Sequence, residues 1–362
     1  MLVSNEFRPD PRVIREARSL ARRGHFVQVY AWNRERADMP EEQIVDGIHV
    51  HRFRVPSRYG SGLRQLPRYL QVYRAISVNA TARYDVVHCH DIDFLPLGAM
   101  LQRRFGSALI CDLHEFYSLR GTRPVRAVSR TVERRWLPRV DGIIYVSEAQ
   151  RHYYDLPSIP SLVLPNYPEK ALFGNPGRDY PRTVFTVGYI GNVRYAEDLY
   201  RLMDACSSIG GMRVFIAGAG VRSSEVRDYA DGLPFVEVQG PFEYSESPRL
   251  HGKVDAIYAV YTPKDQRDQT MYSVPAKVWE ALSAGKPVIV AKGTHVGEFI
   301  SQAHAGIAVE PAIDEISLAI ESIRDNYDYY ASGARALGSE YTWESVEAGL
   351  LEFYRCLEDG RQ

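Results

Sequence analysis

MYSVPAKVWEALSAGKPVIV (271–290) passes from a polar approach into a short helical pattern, breaks at Gly-Lys-Pro and resumes as an apolar β-type run. Val274, Val278, Ala281 and Leu282 fall at i, i+4, i+7 and i+8 and form the stripe that such a helix buries. Ser273 is placed to cap the helix, Pro275 suits its first turn, and Gly285 with Pro287 stops it. Lys277 and Glu280 lie off the stripe, one turn apart on one face. A helix start offers free N–H groups and partial positive charge, which attract phosphate, and Lys277 adds a full charge beside it. Glu280, one turn deeper, suits a pair of vicinal ribose hydroxyls, as acidic residues do in other nucleotide sites. The same two residues also suit an ordinary surface pair contributing a few tenths of a kcal/mol, and the stretch alone does not choose.

Outward from this stretch, β-type runs alternate with helical patterns along the chain. The first set is VQVYAW (27–32), IHVHRFRV (48–55), DVVHCH (85–90), ALICDLH (108–114), GIIYVS (142–147) and SLVLP (161–165). A Pro/Gly-rich stretch with little periodicity, residues 165–182, reads as a linker. Alternation resumes with FTVGYIG (185–191), MRVFIAG (212–218), FVEVQG (235–240), DAIYAVY (255–261), PVIVA (287–291) and GIAVE (306–310). Two parallel sheets wrapped in helices follow, with function expected in the loops after the strands. MLVS at the start gives only a stub of a first strand, before a strongly patterned helix from Arg12 to Arg23. Either that strand is short or the natural start lies further upstream.

A chain of 362 residues exceeds the size at which one core usually keeps growing, so two domains are expected. Net charge is −1 overall but uneven, with 25 Arg, no Lys and 17 acids in residues 1–165, hence +8 there. A basic half suits an anionic partner, a membrane surface or a nucleic acid, or is scattered solvated arginine. Aromatic interleaving and a recognised reader motif are missing, which argues against nucleic acid. Cys89, Cys111, Cys206 and Cys356 have no metal-type spacing, and a reduced, cytoplasmic setting is expected. No stretch approaches the roughly 20 apolar residues of a membrane span, so any membrane contact is peripheral, at the inner face of the cell membrane.

Taken in order, NEFRPDPRVIREARSLARRGHFVQVYAW, DVVHCHDIDFLPLGA, CDLHEFY, VDGIIYVSEAQ, VLPNYP, VGYIGNVR and VPAKVWEALSAGKPVIV resemble the family 4 glycosyltransferases of the GT-B fold. Each motif is weak alone, but the series spans most of the chain. The resemblance implies an α/β architecture of two Rossmann-like parallel-sheet domains facing across a cleft. Their expected bounds are 1–165 for the acceptor domain, 166–182 for the linker and 183–340 for the donor domain, with 341–362 a helix returning to the first domain. It also implies a retaining hexosyltransferase of polysaccharide biosynthesis, acting on a nucleotide-diphosphate sugar and a glycan or lipid-linked acceptor. No cofactor is required beyond that donor; Mg2+ is compatible but not indicated. By resemblance Glu280 binds the donor ribose, while Gly191, Asn192, Gly218, Tyr272, Ser273 and Val274 line the donor. Arg194 and Lys277 meet its diphosphate, and His114 lies near the transferred sugar. Many members carry a glutamate where this sequence has Tyr272; a subgroup with the pattern P-x-K-x-x-E lacks it too, so sugar contacts are where this chain departs.

Breaking a glycosyl-phosphate bond builds negative charge on the departing diphosphate, so fixed positive charge there is the largest help. Arg194, Lys277 and the helix start supply it. No close carboxylate pair of the kind a double-displacement glycoside hydrolase needs is evident. His88, His90, Asp91 and Asp93 crowd one strand end, a cluster that suits hydroxyls in a cleft better than a metal, and no metal site is assigned. His90 and Asp91, with Asp10 and Asn166, are the acceptor-side candidates; Asp10 either caps its helix or faces the acceptor. His49 and His51 alternate as outward strand positions. Gly218 and Gly220 suit a tight turn or a nucleotide contact. The Arg-rich residues 120–139 suit anionic lipid or a solvated face. Two other readings of the same fold are a nucleotide-sugar epimerase and a non-catalytic nucleotide-sugar-binding partner subunit. A dinucleotide oxidoreductase lacks its strand–GxGxxG–helix unit.

Overall fold

The computed structural model describes residues 1–362 except 9, 36–37, 59–61, 120, 174–183, 263–273 and 360–362, and the side chain of residue 63. By internal contacts the chain forms two compact units, Met1–Pro165 with Val346–Gln362, and Asn166–Ser345. The first unit holds β1 (Leu2–Val3), α1 (Pro11–Arg22), β2 (Gln28–Asn33), β3 (Glu42–Val45), β4 (Ile48–Arg54), α2 (Leu66–Asn79), β5 (Val86–His90), α3 (Leu95–Phe105), β6 (Ala108–Leu113), α4 (Arg123–Trp136), β7 (Gly142–Tyr145), α5 (Glu148–Tyr154) and β8 (Ser161–Val163). Its sheet runs β3-β4-β2-β1-β5-β6-β7-β8, with β3 antiparallel to β4 and the other pairs parallel. The order reverses between β1 and β5, the switch point outside which open α/β sheets bind ligands. β1 is a two-residue strand paired on both sides, Leu2 with Tyr30 and with Cys89.

The second unit holds α6 (Lys170–Phe173), β9 (Phe185–Ile190), α7 (Ala196–Ile209), β10 (Met212–Ala217), α8 (Ser223–Ala230), β11 (Val236–Gln239), α9 (Ser247–Gly252), β12 (Ala256–Ala259), α10 (Ala276–Ser283), β13 (Val288–Ala291), α11 (His295–Gln302), β14 (Gly306–Val309), α12 (Ile313–Asp325) and α13 (Tyr327–Glu340). The last helix, α14 (Trp343–Asp359), starts in this unit and belongs to the first from Val346 on. The sheet runs β11-β10-β9-β12-β13-β14, parallel throughout, with its switch point between β9 and β12. Apolar side chains from both faces fill two core clusters, one led by α7 and α12 and the other by α9, α10 and α11.

Each expected β run forms a strand at nearly the expected place, and β3 is an addition. EQIV is short, carries a charge and is mostly exposed at the sheet edge, so its periodicity is faint. Within the stretch read as a linker, Lys170–Phe173 form the single turn α6, with Phe173 buried. Three expectations need correction. Pro275 stands before α10 rather than in its first turn, and Ser273, read as its cap, lies outside the described residues. Lys277, read as off the buried stripe, is itself buried, because the chain after β9 covers it. Not all the arginines of the basic half are solvated: Arg12, Arg15, Arg34 and Arg52 are buried, and Arg52 holds the β1–α1 loop through the carbonyls of Glu6 (2.8 Å) and Phe7 (3.1 Å).

Candidate functional site

In the second unit the loops after β9 and β10 meet the start of α10. Gly191 (φ 136°) and Gly218 (φ 137°) hold backbone conformations that suit glycine, and a Cβ on Gly218 would overlap the Gly191 carbonyl. The two turns are tied by Gly191 N–H to the Ala217 carbonyl (2.9 Å) and Val193 N–H to the Ala219 carbonyl (3.0 Å). Gly220 is equally close-packed, against the carbonyl of Val193 and the Asn192 side chain. Gly218→Ala therefore introduces about 1–3 kcal/mol of strain and displaces the Gly191 turn. A lowered urea midpoint and weaker nucleotide binding are expected together; wild-type values for both would show that the turns are not closely packed.

Lys277 reaches under this turn from the second residue of α10. Its Nζ lies 3.2 Å from where a Gly191 Cβ would stand, 3.3 Å from the centroid of the Tyr189 ring and 5.5 Å from that of Tyr261. Among the described residues the ammonium has no hydrogen-bond partner, and two aromatic faces are its nearest compensation. Burial brings its pKa down to about 7, against the opposing pull of Glu280. Glu280, half-buried one turn on, accepts from Ser247 Oγ at 3.2 Å. Tyr189 donates to the Asn192 carbonyl (2.6 Å), so the ring beneath Lys277 also holds the loop. Asp198 accepts from Thr262 N–H (3.1 Å), from the Thr262 hydroxyl and from Arg201 (2.6 Å), fixing the chain just after β12.

The sequence candidates Gly191, Asn192, Gly218 and Lys277 are thus brought together, with Glu280 one helical turn away. Arg194 lies on the same loop, within electrostatic reach of Tyr189, and Val274 leads into α10 against the core. Tyr272 and Ser273, and with them the place of the family glutamate, lie outside the described residues.

The first unit gathers a second cluster at its own switch point. Asp112, fully buried on β6, receives a bidentate pair from Arg12 (2.7 and 2.6 Å) and contacts from His114 Nε2 (2.9 Å) and His90 Nδ1 (3.2 Å). Burial alone would raise its pKa, but Arg12 and then His114 outweigh this and hold it well below the usual carboxylate range. His114 is pulled up to about 10, Asp91 and Asp112 overcoming its burial, and is an imidazolium at neutral pH. Burial lowers His90 to about 4, so that ring is neutral, and Asp91, at φ 70°, is raised by burial to about 6 while accepting the His114 N–H at 2.9 Å. Arg12 also donates to the Leu164 carbonyl (2.7 Å) and lies 3.2 Å from Glu16, which burial holds well above its usual range. His88 Nδ1 meets the hydroxyl of Tyr354 on α14 at 2.7 Å.

Glu16, His88, His90 and Asp112 place one ligand-type atom each within 4.8 Å of one another, a set other than the His88, His90, Asp91 and Asp93 group read from the sequence. The positive charge seated there is the Arg12 guanidinium. Asp10 caps α1, accepting from Arg12 N–H (3.1 Å) and Val13 N–H (3.4 Å), and its other oxygen receives the Asn5 amide (2.9 Å). Of its two sequence readings the capping one is seen. Asn166 is the first residue of the second unit. Arg12, Asp112, Tyr189, Tyr261 and Ser247 were not singled out from sequence; only Asp112 carried a signal, as a lone charge in the apolar run ALICDLH.

Residues 10–166 match the family description "Glycosyl transferase 4-like domain", and residues 184–326 match "Glycosyl transferases group 1". A D-inositol 3-phosphate glycosyltransferase of Mycolicibacterium smegmatis is 23% identical over 390 residues, covering 96% of this chain and 86% of that protein. Among solved structures, the sucrose-phosphate synthase of Thermosynechococcus elongatus superposes with a TM-score of 0.77 at 16% identity, over 99% of this chain and 98% of the other. Anabaena HepE in complex with UDP and glucose superposes with a TM-score of 0.70 at 16% identity, over 98% of both chains.

Proposed function

The chain belongs to the group 1 glycosyltransferases with a 4-like amino-terminal domain, and from that premise we propose that it moves a hexose-type sugar from a nucleotide-diphosphate sugar to a glycan or lipid-linked acceptor, with retention of configuration. The observation carrying the donor half is the buried ammonium of Lys277 at the start of α10, beneath the Gly191 turn and with no hydrogen-bond partner among the described residues. A cation kept from water without an anion is costly, and a diphosphate laid across the helix start supplies the missing partner. As the glycosyl-phosphate bond lengthens, charge collects on that diphosphate, where Lys277, Arg194 and the α10 N–H groups stabilise it. The UDP held by the Anabaena neighbour is consistent with such a donor.

Glu280 takes the ribose hydroxyls, with Ser247 orienting its carboxylate. On the acceptor side, His114 is a charged donor and His90 a neutral ring, a pair suited to orienting sugar hydroxyls near Asp91. No step in this reading needs a metal ligand from the protein. Glu280→Ala is expected to weaken nucleoside diphosphate binding about 10- to 100-fold, the range of one to two charge-assisted hydrogen bonds, with an unchanged melting curve. Calorimetry reads the affinity; an unaltered value would remove the ribose role.

A further inference from the structure

Helices α2, α3 and α4 lie side by side on one face of the first unit's sheet, where Val72 and Ile76, Leu97 and Leu101, and Val132 and Trp136 pack into a common core. Together these helices carry nine arginines and a single acid, Glu133. Glu133 is buried and faces inward, accepting from Ser118 N–H (3.1 Å) and the Tyr154 hydroxyl (2.9 Å). All the arginines except the half-buried Arg126 are exposed, so the outer side of this layer is basic with no acid from these helices.

Large apolar side chains stand among these charges. Leu66 (49% exposed), Leu70 (70%) and Val78 (67%) lie with Arg74 along one ridge of α2 at four-residue spacing, and Met100 of α3 is 45% exposed. Arg104 joins α3 to the last turn of α2 by donating to the Ser77 carbonyl at 2.6 Å, beside Val78. At the other end, the turn that leads into α2 and carries Arg64 packs at Gly62 against Val125 in the first turn of α4, 3.6 Å from the position of a Cβ. The apolar ridge and the arginines are therefore parts of one surface.

We propose that this face docks on an anionic lipid bilayer, the ridge of α2 entering the headgroup boundary while the arginines meet lipid phosphates. Exposed leucines flanked by arginine, with no exposed acid on the same helices, is the chemistry of an interfacial helix, whereas a phosphate polymer would gain nothing from Leu70 and Val78. The proposal rests on the lipid-linked reading of the acceptor, and vesicle binding is scored apart from nucleotide binding so that either can fail alone.

The test is co-sedimentation of the purified protein with vesicles of phosphatidylcholine alone and with about one third phosphatidylglycerol. Binding is expected to the anionic vesicles only, to fall sharply in about 0.5 M salt, and to drop about fivefold in Arg74→Glu. Leu66→Glu with Leu70→Glu should drop it more than tenfold, while Arg227→Glu on α8 leaves it unchanged and all variants keep wild-type nucleotide affinity. Equal binding to neutral and anionic vesicles, or insensitivity to the α2 substitutions, would overturn the proposal. So would capture on a heparin column by a protein that ignores vesicles, which would assign the face to a soluble polyanion.

Discussion

Lys277→Ala is expected to lower sugar transfer by about 10²- to 10³-fold while weakening nucleoside diphosphate binding much less, because its charge is needed most as the leaving group departs. The pH dependence has a definite sign. In the free protein the ammonium loses its proton near pH 7, and a bound diphosphate raises that pKa by supplying an anion. Affinity is then greatest below pH 7 and declines modestly as pH rises, toward that of the uncharged side chain. At pH 8 binding takes up a fraction of a proton, which calorimetry in buffers of different ionisation heat detects; at pH 6 it takes up little. Lys277→Met should show neither effect. Stability changes the opposite way, since a lysine whose folded pKa lies below its unfolded value of 10.5 destabilises the fold progressively as pH falls from 10.5 to about 7. The Met variant is therefore expected to be more stable and less active, the trade usual for a group kept strained for function. Equal small losses in turnover and affinity would return Lys277 to a structural role.

Arg12→Met should destabilise the first unit by about 3–5 kcal/mol, the loss seen when one partner of a buried ion pair is removed. Asp112 would keep its charge in the interior with only His114 opposite it, and the Leu164 carbonyl would lose its donor. Amide exchange in β5 and β6 is the apt measurement, since two compact units need not unfold in one step. Protection lost in β5 and β6 but kept in β9 and β10 is expected; unchanged protection would show that the arginine is dispensable to the core.

These two residues mark the limits of reading the chain without its structure. The strands were legible because parallel strands buried on both faces are near-continuous apolar runs, as in ALICDL and AIYA. The glycines after β9 and β10 were legible as turns, but their mutual packing was not, since nothing in VGYIGNVR says which loop lies against it. Periodicity put Lys277 on the polar side of α10 correctly as an angle and wrongly as exposure: it reports the helix's own faces and not the Gly191 turn that covers one of them. Asp112 was conspicuous as a charge in an apolar strand, yet its partner Arg12 lies 100 residues earlier and looked like one more member of a basic half. In the structure that half holds both buried arginines that tie loops and strand ends and exposed ones, among them most of those on α2, α3 and α4.

The central claim, a nucleotide-diphosphate sugar held at the start of α10, is tested most directly by calorimetric titration of the purified protein with UDP, GDP, ADP and their sugar conjugates, followed by assay of sugar release from whichever binds. Tight binding of one diphosphate, with slow release of its sugar in the absence of acceptor, is the result predicted. Binding of none of them, or tight binding with no sugar ever released or transferred, would contradict it.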